Sequence, residues 1–147
     1  MPDLDLDEVP AGKVYNTTNI SIATFVGGLL VGTYLISENF KVLGDRRKAA
    51  ITWAVAIFLF IVVIMGSAFI PLLDQTPNYV YTIFFAFSAG WAARHFQSKK
   101  INEHIEKGGD VYPTKRVVVI TLIGLAIIVA VALAAFFIQD NMISHSR

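Results

Sequence analysis

The sequence predicts an all-α, polytopic membrane protein with four transmembrane helices, the third of them extended into the cytoplasm. Three observations carry this. The 147 residues are 55% hydrophobic and only 16% charged. Four separate stretches are apolar over lengths near the ~20 residues that cross about 30 Å of hydrocarbon. The cations gather in just two of the connections between those stretches. A soluble core would instead show an amphipathic stripe along each helix. With no Cys in the chain, disulfides, thiolate zinc sites and iron–sulfur clusters are excluded.

The amino-terminal tail, residues 1–19, holds Asp3, Asp5, Asp7 and Glu8 against a single Lys13. That is the opposite of the basic start of a signal peptide, so the first span is expected to be retained. The Asp3, Asp5, Asp7 alternation imitates the opening of an EF-hand loop. It fails where the loop needs Gly sixth and Glu twelfth, positions held here by Glu8 and Val14. No metal and no cofactor is expected.

The spans are expected at about 20–37, 49–70, 79–93 and 117–138. The second and fourth are dominated by Leu, Ile, Val and Phe, each contributing about 0.3–0.6 kcal/mol of insertion free energy at a helix centre. They would insert alone. The first and third are diluted by Gly, Ala, Ser and Thr, a composition suited to close packing against other helices. Small residues recur on one helical side as Thr24, Gly28 and Gly32 in the first span, Ala86, Ala89 and Ala93 in the third, and Ala126, Ala130 and Ala134 in the fourth. Gly28 and Gly32 are expected to make the closest helix contact, against the third-span alanines.

The third helix is expected to run on beyond Arg94. Lys99 with Glu103 and Glu103 with Lys107 are opposite-charge i,i+4 pairs, and Gly108 and Gly109 should end the helix. This stretch, "HFQSKKINEHIEKGGDVYP", is where chemistry would lie if there were any. His95 and His104 face opposite ways, about 180° apart at 3.6 residues per turn. Neither the HExxH nor the Glu-x-x-His spacing occurs. Glu103 and His104 remain as a candidate acid/base pair. The spans carry no ionisable residue of the kind a proton-coupled carrier uses, and no histidine for haem.

Of the twelve Lys and Arg, ten lie in two connections. Lys41, Arg46, Arg47 and Lys48 follow the first span; Arg94, Lys99, Lys100, Lys107, Lys115 and Arg116 follow the third. The positive-inside bias puts both connections in the cytoplasm and both termini, including the tail 139–147, outside the cytoplasmic (inner) membrane. Arg46, Arg47, Lys48, Lys99, Lys100, Lys115 and Arg116 would also attract anionic lipid headgroups. The order Glu, Gly-Asp, basic pair occurs twice, at Glu38, Gly44-Asp45, Arg46-Arg47 and at Glu103, Gly109-Asp110, Lys115-Arg116, which reads as a parallel repeat of two halves.

The segment "IATFVGGLLVGTYLISENFKVLG", with "HFQSKKINEHIEKGGDVY" later, resembles small four-span membrane proteins of Bacteroidetes-type bacteria, which often read TFLGGPLAAGYLI here. The resemblance implies a bacterial inner-membrane location and brings no activity. Leu29 and Leu30 stand where that pattern has its proline, so its kink is expected to be absent. The function expected is that of a non-enzymatic integral membrane component, an accessory or scaffolding subunit. A small transporter or channel subunit is the alternative, and a membrane-embedded enzyme using Glu103 and His104 the third. The expected partners are the lipid bilayer and another membrane subunit or a second copy, and no nucleic acid.

Overall fold

The computed structural model describes residues 12–69 and 78–145. Asp3, Asp5, Asp7 and Glu8 lie outside the described residues. The element order is β1 (Lys13–Val14), α1 (Thr17–Val42), α2 (Arg46–Phe69), α3 (Asn78–Glu106), β2 (Asp110–Val111) and α4 (Thr114–His145). By length and composition, Thr17–Val42 and Thr114–Ile138 could each cross a membrane.

The first of these does not run straight. Inside α1, Gly28 has φ 74° and ψ −173°, a conformation outside the helical region that is essentially restricted to glycine. Tyr15 and Asn39 are 24 residues apart, yet the Tyr15 N–H donates to Asn39 Oδ1 at 2.7 Å. An unbroken helix at 1.5 Å per residue would hold them about 36 Å apart. The chain therefore reverses at Gly28, and α1 is a hairpin of two antiparallel arms, residues 17–27 and 29–42. Their lengths are about 16 and 21 Å, each short of the ~30 Å of a bilayer core.

Two expectations are corrected by this. The stretch 20–37 is not one straight helix, and the kink expected to be absent is present, supplied by Gly28 without a proline. The segment from Gly12 to Asn16 also lies at the same end of the molecule as the two basic connections. The parallel pairing of Lys13 with Asp110 and Val14 with Val111 fixes it there. It therefore cannot sit across a membrane from them.

The hairpin is the hub. Helices α2, α3 and α4 each pack on α1 rather than extensively on one another, among the described residues. Ile20, Ala23, Val31, Leu35, Ile36 and Phe40 of α1 meet Ala49, Ala89, Ala93 and Val117 in the core. Away from the hairpin the helices are apolar and bare. In α4 the most apolar window is only 17% buried, with Leu122, Ile123, Ile127, Val131 and Phe136 all exposed.

Local signals set the helix ends. Asn16 caps α1 by accepting the Thr18 N–H at 2.8 Å, and Asp45 Oδ1 accepts the Lys48 N–H at 3.1 Å to start α2, satisfying amides a helix start leaves free. Helix α3 does extend past Arg94 and stops at Glu106, with Gly108 at φ 86° just beyond. The twofold motif is matched only in part. Leu43, Gly44 and Asp45 close α1 with the same three backbone hydrogen bonds by which Lys107, Gly108 and Gly109 close α3, one residue out of step with the letters, but Asp45 then caps a helix whereas Asp110 enters β2.

Candidate functional site

The chemically richest place in the fold is the end where the tail, both arms of α1 and the α3–α4 connection converge. Asn39, fully buried, is its centre. Its Oδ1 accepts from the Tyr15 N–H, and its Nδ2 donates to the Tyr15 carbonyl at 2.8 Å and to Gln97 Oε1 at 3.3 Å. Gln97 Nε2 donates in turn to the Ile36 carbonyl at 2.8 Å. Two amide side chains thus bind the tail, the second arm and α3 to one another, and Ser37 Oγ donates to the Ala49 carbonyl at 3.3 Å to add α2. Buried amides cost free energy unless paired, and here the pairing is nearly complete.

Around this core lies an aromatic and cationic shell. The Tyr15 ring stacks on Tyr112 with centroids 4.6 Å apart. Arg116 Nε donates to Tyr15 Oη at 3.2 Å, and its guanidinium sits over the Tyr112 ring at 4.1 Å. Burial pushes the Tyr15 hydroxyl above its usual range, while the hydrogen bond and charge of Arg116 pull it partly back. Arg116 is therefore more than an orienting charge, because it fastens the start of α4 to the tail.

His104 and Glu103, the candidate acid/base pair, do not come together. His104 is 2% exposed and its Nε2 lies 3.1 Å from the Gly12 carbonyl. A carbonyl only accepts, so Nε2 carries the hydrogen. Nδ1 has no partner among the described residues. Gly109 lies against the imidazole so closely that a side chain there would collide with the ring. Glu103 points to exposed surface, 3.9 Å from Lys99. His104 acts as one more tether for the tail. His95 stacks on Trp91 on the exposed side of α3, centroids 5.0 Å apart.

The other basic residues, Arg46, Arg47, Lys48, Lys99, Lys100 and Lys115, are exposed. Lys48 reaches Asp45 at 2.8 Å. Its hydrogen bond to Asp45 holds that carboxyl below the usual range, with a smaller contribution from the charge of Lys100.

The small residues divide. Gly32 packs against Thr24 between the two arms, so close that a side chain at 32 would collide with Thr24. This is a contact within α1, not between spans. Ala86, Ala89 and Ala93 are buried as expected, but the tight crossing of α3 is made by Gly90 against Ser21. Helix α4 crosses at Gly124, against Val31 and the Gly27 carbonyl. Gly28 is the turn itself, with Ile128 nearby. Ala126, Ala130 and Ala134 lie on the exposed part of α4 and make no such crossing.

Asn39, Gln97 and Tyr15 belong to no sequence motif, and motif spacing alone misses them. A signal for Gln97 does exist: Ala86, Ala89, Ala93, Gln97, Ile101 and His104 are all buried at spacings of three and four, one stripe of a helix. The small-residue pattern traces that stripe only as far as Ala93. No protein family model, curated protein or solved structure matches this chain.

Proposed function

We propose that this chain is a multi-pass protein of the cytoplasmic membrane that acts as a non-enzymatic structural component, an accessory or scaffolding subunit. Helices α2, α3 and α4 make three crossings, and α1 enters and leaves on the cytoplasmic face as a re-entrant hairpin. Residues 12–16 and both basic connections are cytoplasmic, following the positive-inside bias, and the carboxyl end of α4 is outside. The bare apolar surface of α2 and α4 supports membrane embedding, since water-exposed patches of that extent are rare on soluble proteins.

One observation carries the functional reading. The buried polar side chains Asn39, Gln97 and His104 bind the molecule's own backbone and one another, so they serve to hold a hairpin in place. Isolation from native membranes in mild detergent, with the particle mass measured, tests it. A discrete, stoichiometric particle heavier than one copy is expected, and a homogeneous monomer would overturn the subunit reading.

The broken helix favours a second reading, a small transporter or channel subunit. Transporters place interrupted helices near the bilayer midplane, and irregular backbone at that depth is tolerated only inside protein or beside a water-filled cavity. Substrate-dependent flux into liposomes containing only this protein, abolished in Gly28→Ala, would establish that reading in place of the first.

A further inference from the structure

We infer that the cleft between α2 and α3 is a binding groove for one anionic phospholipid, its acyl chain lying along the second arm of α1 and its headgroup between Lys48 and Lys100. This rests on the membrane reading above. The cleft has a volume of about 750 Å³ and is walled by Leu29, Ile51, Leu59, Phe84, Trp91 and Phe96. That is the size range of a ligand pocket, roughly 300–1,000 Å³.

Its length is specific. From Lys48 to Leu59 along α2 is about 16 Å at 1.5 Å per residue, close to the ~15 Å of one leaflet, half of a 30 Å core. An acyl chain anchored at the cytoplasmic face would fill it to the level where the α1 hairpin turns.

Its charge is equally specific. The groove is almost wholly apolar until its cytoplasmic mouth, where Lys48 forms part of the wall over the Phe40 ring, 5.9 Å from its centroid. Lys100 follows Phe96 by four residues, on the same side of α3. The Lys100 charge is felt by Asp45, the carboxylate that Lys48 already holds at 2.8 Å. Lys48 pairs with this one carboxylate and Lys100 adds a second positive charge on the neighbouring helix, leaving a net positive mouth above an apolar slot. A zwitterionic lipid would satisfy the slot alone, whereas an anionic lipid satisfies both.

The chain has two tryptophans, and the second reports on a different place. Trp53 lines a separate cavity with Ser37, Lys41 and Arg46. The full-length Trp53→Phe protein, reconstituted in bilayers containing brominated phosphatidylglycerol or brominated phosphatidylcholine, reads occupancy through quenching of Trp91. Phosphatidylglycerol is expected to be enriched at Trp91 by about five-fold per engaged lysine over its bulk fraction. Lys48→Gln with Lys100→Gln should bring the two lipids to parity at Trp91, while leaving quenching of Trp53 in the reciprocal Trp91→Phe protein unchanged.

Equal quenching by both lipids in the charge-intact protein would overturn the groove and leave the membrane reading standing. Quenching by neither would overturn the membrane reading itself. If the double variant does not fold, 1 M salt applied to the charge-intact protein replaces it, because screening then falls to about 3 Å. Persistence of the full preference in that salt, or an equal loss at Trp53 in the double variant, would also overturn the proposal.

Discussion

Asn39 binds both backbone polar groups of Tyr15, accepting its N–H at 2.7 Å and donating to its carbonyl at 2.8 Å, across 24 residues of sequence. The side chain thereby imitates a strand partner. It pairs the last residues before α1 with the last turns of the same helix, which is possible only because α1 folds back at Gly28. The hairpin and the amide are one device: without the turn the pair could not meet, and without the pair the arms would lose their anchor at the open end.

Replacing Asn39 by Leu should therefore be among the most damaging single changes outside the core. It strands the Tyr15 N–H, the Tyr15 carbonyl and the Gln97 Oε1, at about 1–3 kcal/mol for each buried group left unpaired. Thermal unfolding in detergent should register a loss of several kcal/mol, and trypsin should cut at Lys13 sooner. An Asn39→Leu protein as stable as its parent would mean that the tail is not held this way.

At Gly28 the backbone angles themselves decide the outcome. A residue with a Cβ in that region costs about 1–3 kcal/mol, so Gly28→Ala should lower stability by that amount. Leu29→Ala, a partly exposed neighbour with ordinary helical geometry, should cost less. Equal melting temperatures for the two variants would rule out the turn.

Placement of the tail is testable by cross-linking, since the chain has no native Cys. Lys13 and Asp110 are direct partners in the strand pair, and partner Cα atoms in such ladders fall within disulfide reach. A protein carrying both Lys13→Cys and Asp110→Cys should form an intramolecular disulfide under mild oxidation in membranes. Its failure to form, with the two introduced thiols labelled from opposite sides, would restore the four-span arrangement. The Lys13–Asp110 ion pair at 3.1 Å is exposed, so losing it should itself cost no more than about 1 kcal/mol.

Alkaline pH should loosen the same end. The Tyr15 hydroxyl titrates above its ordinary 10.0 in the folded protein, mainly because it is buried. The folded state then holds the proton more tightly than the unfolded chain does. Its contribution is complete below about pH 10 and declines as pH rises toward the folded value. Melting temperature followed from about pH 8 to 11 should fall more steeply in the parent than in Tyr15→Phe. Parallel curves would show that this hydroxyl plays no part.

Much of this architecture is legible in composition and spacing. The helix stretches, the stop at Gly108-Gly109, the buried Ala86, Ala89 and Ala93 and the gathering of cations at one end all follow from local pattern. The hairpin is not, because Ile20 to Ser37 satisfies every test of a span: length, apolarity and small residues at spacing four. What distinguishes the two is a single backbone conformation at Gly28 and hydrogen bonds from Tyr15 to Asn39, which no local window contains. The repeat is legible only in part, since Gly44 and Gly108 close their helices with the same turn, while Asp45 leads into a helix and Asp110 into a strand. Spacing between the histidines does separate an exposed His95 from a buried His104, but it cannot give the partner of His104, which is Gly12, 92 residues away.

The pairing of Lys13 with Asp110 also orders events during synthesis. The tail and both arms of α1 leave the ribosome before Gln97, His104, Tyr112 and Arg116, the residues that hold them, have been made. Until then the hairpin can have neither its α3 nor its α4 support, and Asn39 has no Gln97 to bind. The connection between α3 and α4 therefore acts as the lock on the earlier-made segment, and a nascent chain halted before it should leave that segment open to proteases and quality control.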